Sequence, residues 1–105
     1  MIKVGIIGFG NMGKAIALGA QTLFEVSVFD KDAQKLIDCQ GLKTQTQIVD
    51  LINNSDCIIL AVKPQDMESV LKEIKVNYKE QLIISIAAGI TTKSIMRQLS
   101  ESARV

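Results

Sequence analysis

Ile2-Lys3-Val4-Gly5-Ile6-Ile7-Gly8-Phe9-Gly10-Asn11-Met12-Gly13 carries an apolar stretch straight into the spacing Gly8-x-Gly10-x-x-Gly13, and Lys14-Ala15-Ile16-Ala17-Leu18 follows with good helix formers and no proline. A strand, a glycine turn and a helix in that order are how a dinucleotide-binding unit begins. Each glycine has its own chemical task in such a turn. Gly8 permits the tight strand-to-helix corner, Gly10 lets the backbone approach a pyrophosphate, and Gly13 lets the helix pack close to the strand. The pyrophosphate would rest on the free N–H groups and positive dipole end of that helix. A ligand-free surface turn in a chain with 7 glycines can carry the same spacing. The strand before it and the helix after it set this one apart.

The next apolar segment, Glu25-Val26-Ser27-Val28-Phe29, ends at Asp30, which lies 17 residues beyond Gly13. That is close to the spacing of roughly 20 residues at which an acid binds the adenosine ribose. A carboxylate accepts hydrogen bonds from both ribose hydroxyls and repels a 2′-phosphate, so Asp30 leans toward NADH. Lys31 and Lys35 lean the other way, since Lys31 could pair with the phosphate if Asp30 turned aside. Asp30 could also serve as a cap for a helix beginning near Asp32-Ala33.

Outward from these two segments, short apolar runs alternate with helical patterns, which predicts an α/β fold: a Rossmann-type, doubly wound, mostly parallel sheet covered on both faces. Strands are expected near 2–7, 25–29, 43–45, 57–62, 82–86 and, incompletely, 103–105. Helices are expected near 11–22, 31–39, 47–53, 65–76 and 91–99. In the fourth, Met67, Val70, Leu71 and Ile74 form a core-facing stripe while Glu68, Lys72, Glu73 and Lys75 lie off it. Pro64 suits the first turn of that helix and stops the preceding strand at the carboxyl edge of the sheet, where doubly wound folds bind ligands. The small residues Ala87-Ala88-Gly89 after the fifth strand leave room for a flat ring.

Composition narrows the class. With 105 residues, 48% of them hydrophobic, the chain makes one domain with a real core and is too short for two. A net charge of +1 with scattered Lys and Arg disfavours nucleic acid and anionic membrane as partners. The apolar run Cys57-Ile58-Ile59-Leu60-Ala61-Val62 is far shorter than a membrane span of about 20 residues. No basic-then-apolar signal opens the chain, so a cytoplasmic location is expected. Cys39 and Cys57 are isolated and histidine is absent, which argues against zinc and for reduced thiols, with Cys57 a small buried hydrophobe.

Three blocks, Ile6-Ile7-Gly8-Phe9-Gly10-Asn11-Met12-Gly13-Lys14-Ala15-Ile16, Ala61-Val62-Lys63-Pro64-Gln65 and Ser85-Ile86-Ala87-Ala88-Gly89-Ile90, resemble the N-terminal domain of pyrroline-5-carboxylate reductases in order and spacing across the whole chain. Asn11-Met12 and the Ala61-to-Gln65 block are more specific than the glycines alone. The resemblance implies a domain of an enzyme that reduces the cyclic imine 1-pyrroline-5-carboxylate to proline with NADPH or NADH. It implies that residues Gly8, Phe9, Gly10, Asn11, Met12 and Gly13 hold the pyrophosphate, and that Ala61, Val62, Lys63 and Pro64 flank the cofactor toward its nicotinamide half. Ala87, Ala88 and Gly89 would line the cleft, with Asp30 and Lys31 at the ribose. No catalytic residue and no metal site is expected within the chain.

The chain departs from that family in two ways. Members often carry an Asn before the fourth strand that contacts the cofactor, where this chain has Ile48 flanked by Gln47. Members also continue past a strand like Ala103-Arg104-Val105 into a helical domain that forms a homo-oligomer and most of the substrate site. The expectation is therefore a truncated cofactor domain, inactive alone, monomeric or associated through an exposed apolar edge. Two other readings stay open: the cofactor domain of another reductase (deazaflavin-dependent NADP reductase, hydroxyacid or prephenate dehydrogenase), or a non-catalytic NAD(P)-sensing module.

Overall fold

A computed structural model of the chain describes residues 1–37, 41–86, 90–99 and 104–105. The elements run β1 (Lys3–Ile7), α1 (Asn11–Ala20), β2 (Glu25–Phe29), a 3-10 turn at Ala33–Leu36, β3 (Lys43–Thr44), α2 (Ile48–Asn53), β4 (Cys57–Leu60), α3 (Pro64–Asn77), β5 (Leu82–Ser85) and α4 (Thr92–Leu99). Five strands form one sheet in the order β3-β2-β1-β4-β5, and every pairing is parallel. β1 lies at the centre, with Val4 opposite Val26 on one side and Cys57 on the other. The strand order reverses direction beside β1, and in open α/β sheets that switch point is where the ligand crevice forms.

Strand alternation divides the core into two layers. Ile7, Ile58, Leu60 and Ile83 face α2, α3 and α4, packing on Leu51, Ile52, Met67, Leu71, Ile74 and Ile95. Val4, Ile6, Val26 and Val28 face the other way and pack with Phe9 and Ala17 under α1. Each fully buried Leu or Ile side chain contributes on the order of 1.5–3 kcal/mol relative to an exposed one. The α3 stripe behaves as its spacing requires, with Met67, Val70, Leu71 and Ile74 all buried. Pro64 takes the first turn of α3, where its missing N–H leaves no donor wanting, and Lys63 is the N-cap.

Three expectations change. Of the helix expected over 31–39, the described residues 31–37 form only the 3-10 turn at Ala33–Leu36, because the Asp30 and Asp32 carboxylates take the N–H groups of Asp32 (2.8 Å) and Gln34 (3.1 Å); residues 38 and 39 lie outside the described residues. Such local side-chain bonds compete with helix propagation. The expected last strand at 103–105 is a single parallel bridge, Leu82 to Arg104, in which Ile83 N–H donates to the Arg104 carbonyl at 2.6 Å; Ala103 lies outside the described residues. The cap of the 3-10 turn is Asp32, not Asp30.

Cover is also uneven across the sheet. Ile59 pairs with Ile84 on the α1 side of the sheet, yet α1 lies over β1 and β2, and Leu82, Ile84 and Ile86 remain 37%, 43% and 41% exposed. Leu82 and Ile84 of β5, with Ile86 just beyond the strand, leave a partly exposed apolar row.

Candidate functional site

The strand-to-helix corner is built by contacts that exclude side chains. Gly8 has φ +102°, and a Cβ there would lie 2.6 Å from the Ala61 carbonyl oxygen. Its N–H donates to the Phe29 carbonyl at 2.7 Å, which ties the corner to β2. At Gly13 a Cβ would lie 2.1 Å from the Gly8 carbonyl oxygen, so α1 reaches this closeness to β1 only with glycine. A Cβ at Gly10 would meet nothing within 4 Å, so the backbone there faces open space. Gly10 is the N-cap of α1, and no side chain caps the helix's first-turn N–H groups. Donors of that kind with no internal acceptor suit an anion.

Asp30 closes the corner from the β2 side. Its Oδ2 accepts the Phe9 N–H at 2.7 Å and its Oδ1 accepts the Asp32 N–H at 2.8 Å. An ionised carboxylate has about four acceptor positions, so two such bonds leave capacity for ribose hydroxyls. Beyond Asp30, Lys31 Nζ reaches across to Asp66 Oδ1 in the first turn of α3 at 2.8 Å. The Asp66 carboxylate holds the Lys31 ammonium above its ordinary pKa, first through that hydrogen bond and then through its charge. On the far edge of β2, Glu25 is ion-paired with Lys43, which pushes the Glu25 carboxyl below its usual range.

The glycine corner, Asp30, Lys31 and Asp66 border a cleft of about 290 Å³ at the carboxyl ends of β1, β2 and β4. Gly8, Gly10, Asp30, Lys31, Ala61, Val62 and Lys63 line it, so seven of the expected positions come together. Ile7, Phe29 and Val70 add apolar wall, and Lys35, Gln65 and Asp66 add polar rim. Phe29, Val70 and Asp66 escaped the sequence reading. Val70 belongs to a stripe whose spacing signals core, and Asp66 is a first-turn acid of an ordinary kind; only the end of β2, at the second strand's last residue, carried a local hint.

The remaining expected positions fall elsewhere. The Phe9 side chain is buried in the α1-side core and its N–H is taken by Asp30, so this residue anchors the loop from within. Asn11 and Met12 are exposed on the first turn of α1, Gly13 is buried beneath the corner, and Pro64 opens α3 beside the lining residues. Ala87, Ala88 and Gly89 lie outside the described residues. Among the described residues no cluster of His, Cys, Asp and Glu could hold a metal, and no helix is long and apolar enough to cross a membrane. Cys57 is a free, half-buried thiol whose pKa burial raises above the ordinary 9.0.

Residues 3–89 match the family model described as NADP oxidoreductase, coenzyme F420-dependent. The chain is 35% identical over 109 residues to a pyrroline-5-carboxylate reductase of Aquifex aeolicus, covering 99% of this chain and 40% of that protein. It is 35% identical over 112 residues to that of Escherichia coli, covering 98% and 42%. Among solved structures, the 1-pyrroline-5-carboxylate reductase of Streptococcus pyogenes superposes with a TM-score of 0.82 at 33% identity, over 97% of this chain and 40% of that one. A prephenate dehydrogenase from A. aeolicus superposes with a TM-score of 0.81 at 16% identity, a likeness of fold alone. The chain thus spans about two fifths of the length of the reductases it matches. With a family match over residues 3–89 laid on this glycine corner, the chain belongs to the NADP oxidoreductase, coenzyme F420-dependent, family, and along nearly its whole length it is similar to pyrroline-5-carboxylate reductases.

Proposed function

We propose that this chain is the dinucleotide-binding domain of a pyrroline-5-carboxylate reductase. The observation that carries the reading is the cleft itself: open backbone at Gly10, uncapped donors at the start of α1, and the Asp30 carboxylate on the opposite rim. The donors fit a pyrophosphate, Asp30 fits ribose hydroxyls, and the apolar wall of Ile7, Phe29, Val62 and Val70 fits a flat base. The reading gains support from the Plasmodium falciparum pyrroline carboxylate reductase solved with NADP bound, which superposes with a TM-score of 0.81 at 26% identity over 94% of this chain and 38% of that one.

When bound, a reduced nicotinamide supplies hydride to the imine carbon while a proton goes to the imine nitrogen. The residues of this chain bind and orient the cofactor in this reading. Gly8 and Gly13 shape the corner, the first turn of α1 holds the pyrophosphate, and Ala61, Val62, Lys63 and Pro64 flank the path toward the nicotinamide, with Ala87, Ala88 and Gly89 assigned to the same cleft. The imine site and the homo-oligomer contacts belong, in this reading, to a further helical domain of the whole protein. Asp30 leans toward NADH and the family's use of NADP toward NADPH.

Calorimetric titration with NADH and NADPH tests the reading. The chain binds at least one of them, and Gly10→Val, which fills the open approach without touching the core, loses that binding while keeping its far-ultraviolet circular dichroism. Binding of neither cofactor, or equal binding by Gly10→Val, overturns the site. The 105-residue chain alone, saturated with NAD(P)H and pyrroline carboxylate, shows no steady loss of cofactor absorbance. A second reading, a different NADP-dependent reductase, draws on the family description; turnover of a deazaflavin but not of pyrroline carboxylate by the whole protein would establish it.

A further inference from the structure

Lys31 directly follows Asp30, the residue assigned to the adenosine ribose, and lines the same cleft, where it is a candidate cation for a ribose 2′-phosphate. Its ammonium does not stand free. It is 2.8 Å from Asp66 Oδ1, and the two residues are 35 positions apart in sequence, joining the loop after β2 to the first turn of α3 across one rim of the cleft. Asp66 is held firmly, as the third residue of α3 with its N–H donating to the Lys63 carbonyl at 2.9 Å, and it is 28% exposed. The Lys31 side chain is 76% exposed, so it could reach another anion if released.

Resting on the dinucleotide reading, we propose that Asp66 is a specificity-determining residue: by holding Lys31 it withholds the cation that a 2′-phosphate needs and so biases the cleft toward NADH. The electrostatics run in one direction. A 2′-phosphate placed near Asp30 meets a carboxylate, and the neighbouring lysine that would offset it is already neutralised by a second carboxylate. A 2′-hydroxyl needs no cation and donates to the Asp30 carboxylate. Removing the Asp66 charge therefore helps only the phosphorylated cofactor. Asp66 acts through Lys31 and is a positioning residue in this scheme. Lys35 and Lys63 also line the cleft and stay unchanged in every variant below.

A double-mutant cycle read by calorimetry decides the matter, using Asp66→Asn, Lys31→Gln and the pair, each titrated with NADPH and with NADH. Asp66→Asn raises the NADPH affinity relative to NADH by roughly three- to tenfold, the scale of a charge-assisted phosphate contact at a partly exposed site. Lys31→Gln in the natural background moves the ratio by less than about twofold, since that lysine is already engaged by Asp66. The double variant shows none of the gain. An unchanged ratio in Asp66→Asn overturns the proposal, because another cation such as Lys35 then serves the phosphate. A gain that persists in the double variant also overturns it, since the effect would then be direct repulsion by Asp66. A large loss of NADPH binding in Lys31→Gln alone overturns it as well, because Lys31 would then leave Asp66 for the ligand. Binding of neither cofactor by the natural chain is a separate result, which brings down the dinucleotide reading and this inference with it.

Discussion

The Phe9 backbone N–H donates to Asp30 Oδ2 at 2.7 Å, joining the middle of the glycine corner to the end of β2 across 21 residues. The same carboxylate accepts the Asp32 N–H at 2.8 Å. One side chain thereby fixes the loop after β1 and the loop after β2 at once. Asp30→Ala is expected to lower unfolding free energy by about 1–3 kcal/mol, because one part-buried and one exposed N–H lose an ionic acceptor. Denaturant midpoints check this, with Asp30→Asn falling between the natural chain and Asp30→Ala.

The same position bears on cofactor choice. Asp30→Ser removes the charge that repels a 2′-phosphate, and the NADPH-to-NADH affinity ratio is expected to rise by about tenfold. Calorimetry on the folded variant reads it. A ratio that stays put while stability falls would assign Asp30 to loop anchoring alone.

The three motif glycines separate by stability. Gly13→Ala drives a Cβ to 2.1 Å from the Gly8 carbonyl oxygen, and Gly8→Ala combines φ +102° with a contact at 2.6 Å to the Ala61 carbonyl. Both are expected to lose about 1–3 kcal/mol or more. Gly10→Ala meets nothing within 4 Å and is expected to stay within about 0.5 kcal/mol of the natural chain. Equal losses at all three would refute the contact geometry.

Leu71 is fully buried where α3 packs on the sheet, whereas Val76, five residues on, is 80% exposed. Leu71→Ala should cost about 2–5 kcal/mol by lost transfer energy and a residual cavity, and Val76→Ala less than about 0.5 kcal/mol. Thermal and urea melts of the two variants test whether the stripe is oriented as described.

Alkaline pH should weaken the fold through Cys57. Burial raises its thiol pKa above the ordinary 9.0, so between the unfolded and folded values the native state binds more protons than the unfolded one. The contribution is therefore intact below pH 9.0 and is lost as pH rises beyond it. Cys57→Ala should flatten that alkaline decline in the stability curve. At neutral pH the protonated, half-buried thiol should alkylate more slowly than a free cysteine peptide.

What the sequence by itself determined here is local. Apolar runs of four or five residues became β1, β2, β4 and β5, and the 3.6-residue stripe of Met67, Val70, Leu71 and Ile74 became the buried face of α3. Glycine at 8 and 13 could be read because an impossible Cβ is a property of the corner that those neighbours build. Residues 31–37 depart from the helix expected there even at short range, because helix-forming composition does not reveal that Asp30 and Asp32 will turn their carboxylates onto the backbone. The tertiary structure alone decided the rest. The strand order β3-β2-β1-β4-β5 brings the ends of β2 and β4 to either side of β1, which puts Phe29 and Val70 in one wall and Lys31 against Asp66. No periodicity encodes a contact between residues 35 positions apart. It arises when two separately specified elements are packed on one sheet, and the free energy that selects that packing is summed over the whole core.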